Sequence, residues 1–300
     1  MAVNVSKNSI FVSNLKDKIF YTIIYTLLII IGLLVIVPML YCISVSLTPY
    51  EEALRRGGII LWPSEATLQY YRYVLNRNSP VLRAYGITVL VTIIGTFSSL
   101  MITVFTAYPL SKKYLPGRTV IMYMFFITML FNGGLIPTYL TVRSLGMVDK
   151  LSALIIPSLI SVFNMIVMRS FFISIPDSLE ESARLDGCND IGVLFKIVIP
   201  TSIPAMATIG LFYAVSKWNM FFDAMIYINN RKKFTLQVIL REILVMSQVD
   251  ELNPEMKSSL PPLLPMQMTC TMIAVLPMMI LYPFIQRYFV KGMMIGAIKA

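Results

Sequence analysis

The chain has 300 residues, of which 57% are hydrophobic and only 13% charged, with a net charge of +10 and no histidine. Soluble domains carry about 25% charged residues, so this composition excludes an ordinary globular domain and points to an integral membrane protein. The missing histidines remove the commonest proton shuttle and metal ligand, and with no long basic run the positive charge is expected to face anionic lipid, not nucleic acid.

Residues 19–50, 84–111, 119–142, 151–168, 197–216 and 258–286 contain no Asp, Glu, Lys or Arg. About 20 apolar residues span a bilayer, so six transmembrane helices and an all-α membrane fold are predicted. Residues 1–18 form a leading segment. The first apolar run is too long for a signal-peptide core and lacks a small-residue cleavage pattern, so it is expected to stay as an anchor. Cys42, Cys188 and Cys270 are far apart, two of them within apolar runs, and read as packing residues.

In chain order, the first span carries Pro38 near its far end. A polar stretch, 47–83, contains Gly57-Gly58, Trp62-Pro63 and Tyr70-Tyr71 with Tyr73, and reads as a surface-lying segment on the far side. The second span carries Gly95 and Ser99, small residues that let another helix backbone come close, and ends in a basic turn, Lys112 to Arg118. The third is broken by Asn132-Gly133-Gly134 and Pro137, which requires protein or water around it. The fourth runs to about Ile175 and contains Asn164. After a polar island, 176–198, the fifth starts at Ile199-Pro200 and reaches Lys217-Trp218-Asn219 at its other end. A loop, 226–261, holds an amphipathic stretch from Phe234 to Met246 with Arg241 and Glu242 exposed. The sixth span carries Pro277 and Pro283 and leads to a tail, 291–300.

The island has ordered local signals. Asp177 or Ser178 can cap a helix, with Glu180 and Glu181 each three residues further on. Gly187 is placed to end that helix in the left-handed conformation, and Asn189 or Asp190 can cap a second. A helix, a turn and a helix outside the membrane are predicted. Glu181-Ser182-Ala183, then Gly187, then Ile197 and Ile199-Pro200 resemble the EAA loop of ABC importer permeases, with Ser for one Ala and Ile for a Leu. Further stretches are similar to carbohydrate importer permeases, especially those for complex oligosaccharides in Gram-positive bacteria. They are Ala107 to Ser111, Gly134 to Tyr139 with Leu145-Gly146, Ser216 to Asn219, and Tyr288 to Gly292.

The resemblance implies a type I importer permease fold in a bacterial cell membrane with cytoplasmic termini. It also implies a second homologous permease, two ATP-binding subunits, a lipid-anchored sugar-binding protein outside, and an oligosaccharide cargo. The chain has no Gly-x4-Gly-Lys-Ser/Thr loop, so no catalytic or metal-binding residue and no cofactor is expected in it. ATP and magnesium belong to the partner. The basic residues divide almost evenly between the two sides, but the crowding of Lys112, Lys113 and Arg118 in one short turn favours inside termini.

Leu179, Glu181, Ser182, Ala183, Asp186 and Gly187 are the candidate coupling residues. Small Ala183 beside Leu179 would enter a groove, Glu181 and Asp186 would bond basic groups, and Gly187 would pass movement to the fifth span. Candidates for the sugar path are Asn132, Tyr139, Asn164, Tyr213, Trp218, Asn219 and Asp223. The plainer readings are a bend for Asn132, an interfacial belt residue for Trp218, a snorkelling charge for Lys217, and a solvated carboxylate for Asp223. The amphipathic loop, 231–257, suits a binding-protein contact or an interface-lying helix. A subunit of an ion-gradient-driven sugar transporter is the alternative, but none of the six runs holds the acidic residue that such a relay needs. A membrane-embedded enzyme lacks a paired acid and nucleophile.

Overall fold

The structure is a computed structural model that describes residues 15–56, 60–76, 79–252 and 263–297; Lys7, Gly57, Gly58 and the stretch 253–262 lie outside them. Every element among these residues is helical. Three helices are long and apolar enough to cross a membrane alone: Asp17–Ser46, Pro80–Ser111 and Leu264–Pro283. Three bent pairs also pass by length and composition, which gives six spans when each pair is counted as one.

The described residues fall into two units. The first holds α1 (Leu15–Ser46), α2 (Tyr50–Arg55) and the opening turns of α15 (Leu263–Ala297). Val45, Ala53 and Ile60 are buried together with Tyr41, Leu264 and Met268 around them. The Thr269 hydroxyl bonds the Pro265 carbonyl, and lies 3.3 Å from the carbonyl of Ser46. Glu52 accepts the Ser64 N–H at 2.9 Å, which holds its carboxyl below the usual range. Ile19 to Val37 of α1 stay exposed, as a lipid- or subunit-facing helix requires.

The second unit is built on α4 (Pro80–Ser111). The third span comprises α5 (Arg118–Leu130) and α6 (Leu135–Ser144), bent by 114°. Gly134 makes the bend with φ 87° and ψ 173°, a conformation closed to L side chains, and the Asn132 amide oxygen takes its N–H at 2.9 Å. The fourth span joins α7 (Ser152–Ile155) and a 3-10 turn, Ile156–Ser158, to α8 (Val162–Ser174) across a 52° bend.

The fifth span departs from the sequence expectation. After α9 (Asp177–Leu185) and α10 (Asp190–Val193), a π-helical stretch Leu194–Val198 runs into α11 (Ile199–Thr201). Only then does α12 (Ile203–Trp218) set off, turned by 81°. The expected entry at Ile199-Pro200 is thus a short helix ahead of the bend, and the straight part of the span begins at Ile203. Pro204 has no N–H to give the Pro200 carbonyl, and its ring would clash with that group, so one helix cannot run through both.

α8 and α12 pack on α4, burying Val104, Ala107, Met165, Met168, Phe172, Ile209 and Tyr213. Gly95 was expected to admit a helix backbone. Instead it faces the methylene stem of Lys217, and a Cβ there would come within 3.1 Å of Lys217 Cε. At the other end Val91, Val142, Leu154, Ala224, Tyr227 and Val238 form a second core, drawn from α13 (Phe222–Tyr227) and α14 (Leu236–Leu252) as well. The amphipathic helix in α14 is present, but Glu242 is only half exposed and accepts from Arg231 at 2.9 Å.

Asp149 ties this end together. Its carboxylate accepts the N–H groups of Asn229 and Asn230 at 3.1 and 2.9 Å and pairs with Lys233 at 2.9 Å. The Asn230 N–H and then the Lys233 ammonium hold its carboxyl below the ordinary 3.8. Because the folded value is depressed, the contribution is complete above the unfolded value and is lost as pH falls through the folded one. Acid melting followed by circular dichroism should therefore show a loss of stability below about pH 4. Asp149→Asn should flatten that dependence.

Candidate functional site

The polar island forms the predicted hairpin. α9 starts at Asp177 directly after Pro176, and neither Asp177 nor Ser178 caps it: the N-cap position is Pro176, without a side-chain bond. Glu180, expected in a capping box, turns inward and is only 7% exposed. It is engaged by the ammonium of Lys112, just past the end of α4, which also lies 4.7 Å from the Tyr108 ring centroid. The remaining expectations hold. Gly187 has φ 83°, its N–H reaches the Arg184 carbonyl at 3.0 Å, and the Cys188 N–H reaches Ala183 at 2.9 Å. These are the two bonds of a Schellman ending. Asn189, not Asp190, caps α10 by accepting the Gly192 N–H at 2.8 Å.

That leaves Asp190 to pair with Arg184 across the turn at 2.8 Å, while the same guanidinium nitrogen donates to the Tyr114 hydroxyl at 2.9 Å. The Tyr114 hydrogen bond, followed by the charge of Asp190, holds Arg184 above its ordinary value. Arg169 of α8 donates to the Leu110 carbonyl at 2.7 Å. The hairpin is thus fastened to the end of α4 by an ion pair and to the following turn by Tyr114. A hollow of about 270 Å³ beside it is lined by Lys112, Lys113, Tyr114, Glu180, Glu181 and Arg184.

The candidate coupling residues divide between two faces. Leu179, Glu181, Ser182, Asp186 and Gly187 are exposed. Ala183 is 7% exposed and packs into the core with Val193 and Leu194, so it cannot enter a groove on another protein. The apolar groups that do face outward are Leu185 at 89%, Ile191 at 66% and Leu179 at 45%. Leu185 was missed, although a leucine just before Asp186-Gly187, in a stretch otherwise polar on its outer side, is a readable signal.

The path candidates also separate. Tyr213 is buried, accepting the Ser161 N–H at 3.0 Å with Thr103 Oγ1 at 2.7 Å, so its hydroxyl is consumed within the helix packing. Trp218 is no belt residue: it is 4% exposed, donates to the Ala274 carbonyl at 2.9 Å and meets Tyr85 edge to face. Lys217 does not snorkel, being 2% exposed. Asn164 is buried in the first turn of α8. Asn132 serves the bend at Gly134. Tyr139 is half buried and stacked on Tyr227 at 6.2 Å, Asn219 is exposed, and Asp223 is half exposed. Arg241, exposed on α14, lies 5.8 Å from the Phe221 ring centroid and forms no ion pair among the described residues.

No family model matches the chain. The polygalacturonan/rhamnogalacturonan transport system permease protein YtcP of Bacillus subtilis (strain 168) is 40% identical over 287 residues, covering 95% of this chain and 100% of that protein. Protein LplC of the same organism is 42% identical over 270 residues, covering 90% and 91%. A chain of a bacterial ABC transporter involved in the import of the acidic polysaccharide alginate superposes with a TM-score of 0.83. It shows 34% identity, covering 92% of this chain and 98% of that one.

Glu180→Ala leaves the Lys112 ammonium, with a side chain 11% exposed, without its counter-charge. It should lower stability by about 3 kcal/mol. The double variant Lys112→Met, Glu180→Met should recover most of that loss in thermal unfolding of the detergent-solubilised protein.

Proposed function

The chain belongs to the permease family of ABC sugar importers, and from that membership we propose that the α9–α10 hairpin takes up the stroke of the ATPase and that the cargo is an oligosaccharide of uronic acids. The protein is a multi-pass membrane subunit of an ATP-driven oligosaccharide importer and is not itself an enzyme. It works with a second permease, ATP-binding subunits and a substrate-binding protein, and hydrolysis takes place in the separate subunit. An ion-gradient-driven porter is not the family to which it belongs.

In this reading the hairpin and both termini are cytoplasmic, in keeping with Lys112, Lys113, Arg118 and Lys196 close to the same end of the spans. The binding protein on the opposite side is held by a lipid anchor. This chain binds no cofactor, ATP and magnesium being used by the ATPase. Glu181, Ser182 and Asp186 offer polar contacts, Leu179 and Leu185 supply the apolar part of the docking face, and Gly187 and Ala183 act within the hairpin as its ending and its attachment to the core. The observation that carries the coupling role is the exposure of Leu185 on a hairpin fastened at Glu180 and Arg184. An apolar tip needs a partner to cover it, and a firm attachment is what lets a push on that tip reach the spans.

The cargo class rests on two relatives whose names specify polygalacturonan and alginate, both polymers of sugar carboxylates. Arg241 supports it. A planar guanidinium matches a carboxylate fork, and Phe221 beneath it steadies the cation. The neighbouring Glu242 is occupied by Arg231, so among the described residues it does not neutralise Arg241. Asn219, Asp223 and Tyr139 are the remaining accessible path candidates. Asn132, Asn164, Tyr213 and Trp218 would shape the path without touching the sugar.

Leu185→Asp should cut cargo-stimulated ATP hydrolysis of the assembled importer at least tenfold while leaving the permease's own melting temperature unchanged. Full stimulation in that variant would remove the hairpin from the coupling role. For the cargo, Arg241→Gln should lower uptake of galacturonate oligomers by roughly tenfold, as loss of one charged hydrogen bond implies. Neutral oligosaccharides should be unaffected, and an equal fall for both would count against the uronate reading.

A further inference from the structure

Lys217 is a charged side chain in an apolar span that neither the coupling hairpin nor the cargo reading uses. Its ammonium donates to Ser158 Oγ at 2.5 Å and reaches the Leu154 and Ile155 carbonyls at 3.2 and 3.4 Å. Those carbonyls stand where α7 passes into the 3-10 turn Ile156–Ser158, one turn before the fourth span bends. Where an α-helix tightens into a 3-10 turn its carbonyls are weakly engaged and still carry partial negative charge, so a cation adds to their satisfaction. The Leu154 carbonyl also accepts the Ser158 hydroxyl at 3.5 Å. The stem of the same side chain fills the slot at Gly95 of α4, where a Cβ would come within 3.1 Å of Cε and 3.2 Å of Cδ. Desolvating an ammonium is expensive unless it is fully engaged, and an ionisable residue inside a span marks function by default.

The topology gives this contact its meaning. α8 runs into the hairpin at Pro176, and α12 leaves it through α10 and α11, so the fourth and fifth spans are joined covalently at the hairpin. Away from the hairpin they are joined again, by the Ser161 N–H on Tyr213 and by Lys217 on Ser158, Leu154 and Ile155. Two spans linked at both ends form a closed frame, and α4 lies against both of them. Trp218, the next residue, bonds the Ala274 carbonyl of α15. The end of α12 therefore grips the fourth and sixth spans through adjacent side chains.

We propose that Lys217 is a positioning residue: a cationic pin that closes the frame of the fourth and fifth spans, so that a push on the hairpin moves them as one body. The proposal rests on the hairpin being the site of coupling. It requires that losing the pin separate ATP hydrolysis from transport. The fifth span would still be pushed, but the fourth would lag at its bend.

The test uses the whole importer with its binding protein in proteoliposomes, measuring ATP hydrolysed and cargo moved in the same sample. Lys217→Met keeps length and apolar bulk while removing the donor. It should lower the maximal uptake rate about tenfold at unchanged KM while hydrolysis continues, raising the ATP spent per cargo by the same factor. Lys217→Arg should restore at least half of the uptake. Ser158→Ala, which removes one of the three acceptors, should raise the ratio about twofold, and it carries the test alone if Lys217→Met fails to assemble. A wild-type ratio in assembled Lys217→Met, or in Ser158→Ala, overturns the proposal. So does a parallel fall of uptake and hydrolysis in assembled Lys217→Met. If Leu185→Asp leaves hydrolysis fully stimulated, the coupling reading fails by itself, whatever the Lys217 variants do.

Discussion

The inward turn of Glu180 onto Lys112 is the contact on which the placement of the hairpin depends. α9 has nine residues, too few for a stable helix in water without help. Its Schellman ending and the Arg184–Asp190 pair shape the hairpin internally, but neither fixes where it points. The ion pair does, because it joins residues from α9 and the end of α4 whose side chains are only 9% and 11% exposed. A pair on the open surface would be worth little. Burial changes the character of this one: separating the charges leaves each stranded, so the hairpin has one favoured orientation instead of several. The net gain in stability can be small while the gain in definition is large.

The bilayer imposes the second constraint, since backbone groups freed by a broken helix have no water there to turn to. Three of the spans are broken, and named side chains serve the breaks in the third and the fourth. Asn132 takes the Gly134 N–H, Tyr213 takes the Ser161 N–H, and Lys217 takes the Leu154 and Ile155 carbonyls. Two of these three repairs come from one face of α12. The straightest segment of the fifth span thus supplies the polar groups that let the fourth span bend, and the two spans depend on each other electrostatically as well as by packing.

What could be read in the sequence follows from how far each cause reaches along the chain. The six apolar runs, the break at Gly134, the helix end at Gly187 and the cap at Asn189 are governed by neighbours within a few residues, and all are present. Errors arose where a distant residue decided the outcome. Glu180 is a plausible capping-box member until Lys112, 68 residues earlier, claims it. Lys217 looks like a snorkelling charge until Ser158 and the end of α7 are brought beside it. Ala183 and Leu185 are two residues apart on a short helix, so which of them faces outward depends on how the helix is mounted, and its own pattern does not state that. The bend in the fifth span has a local cause, Pro204 four residues after Pro200, but its 81° turn is not stated by the apolar run itself.

The two ends of the fourth and fifth spans use charge differently. At the hairpin, carboxylate meets ammonium, a pairing that is hard to exchange once buried. At the far end an ammonium meets two carbonyls and a hydroxyl, acceptors of partial charge that recur along any helix end. A lysine on a long stem reaches all three at once, with no buried carboxylate needed beside it. Gly95 leaves the room that such a stem needs, since any side chain there would press on Cδ and Cε. Under the proposed coupling, the ion pair holds the hairpin to α4 and the lysine keeps the far ends of the fourth and fifth spans together, so the frame is tied at both ends.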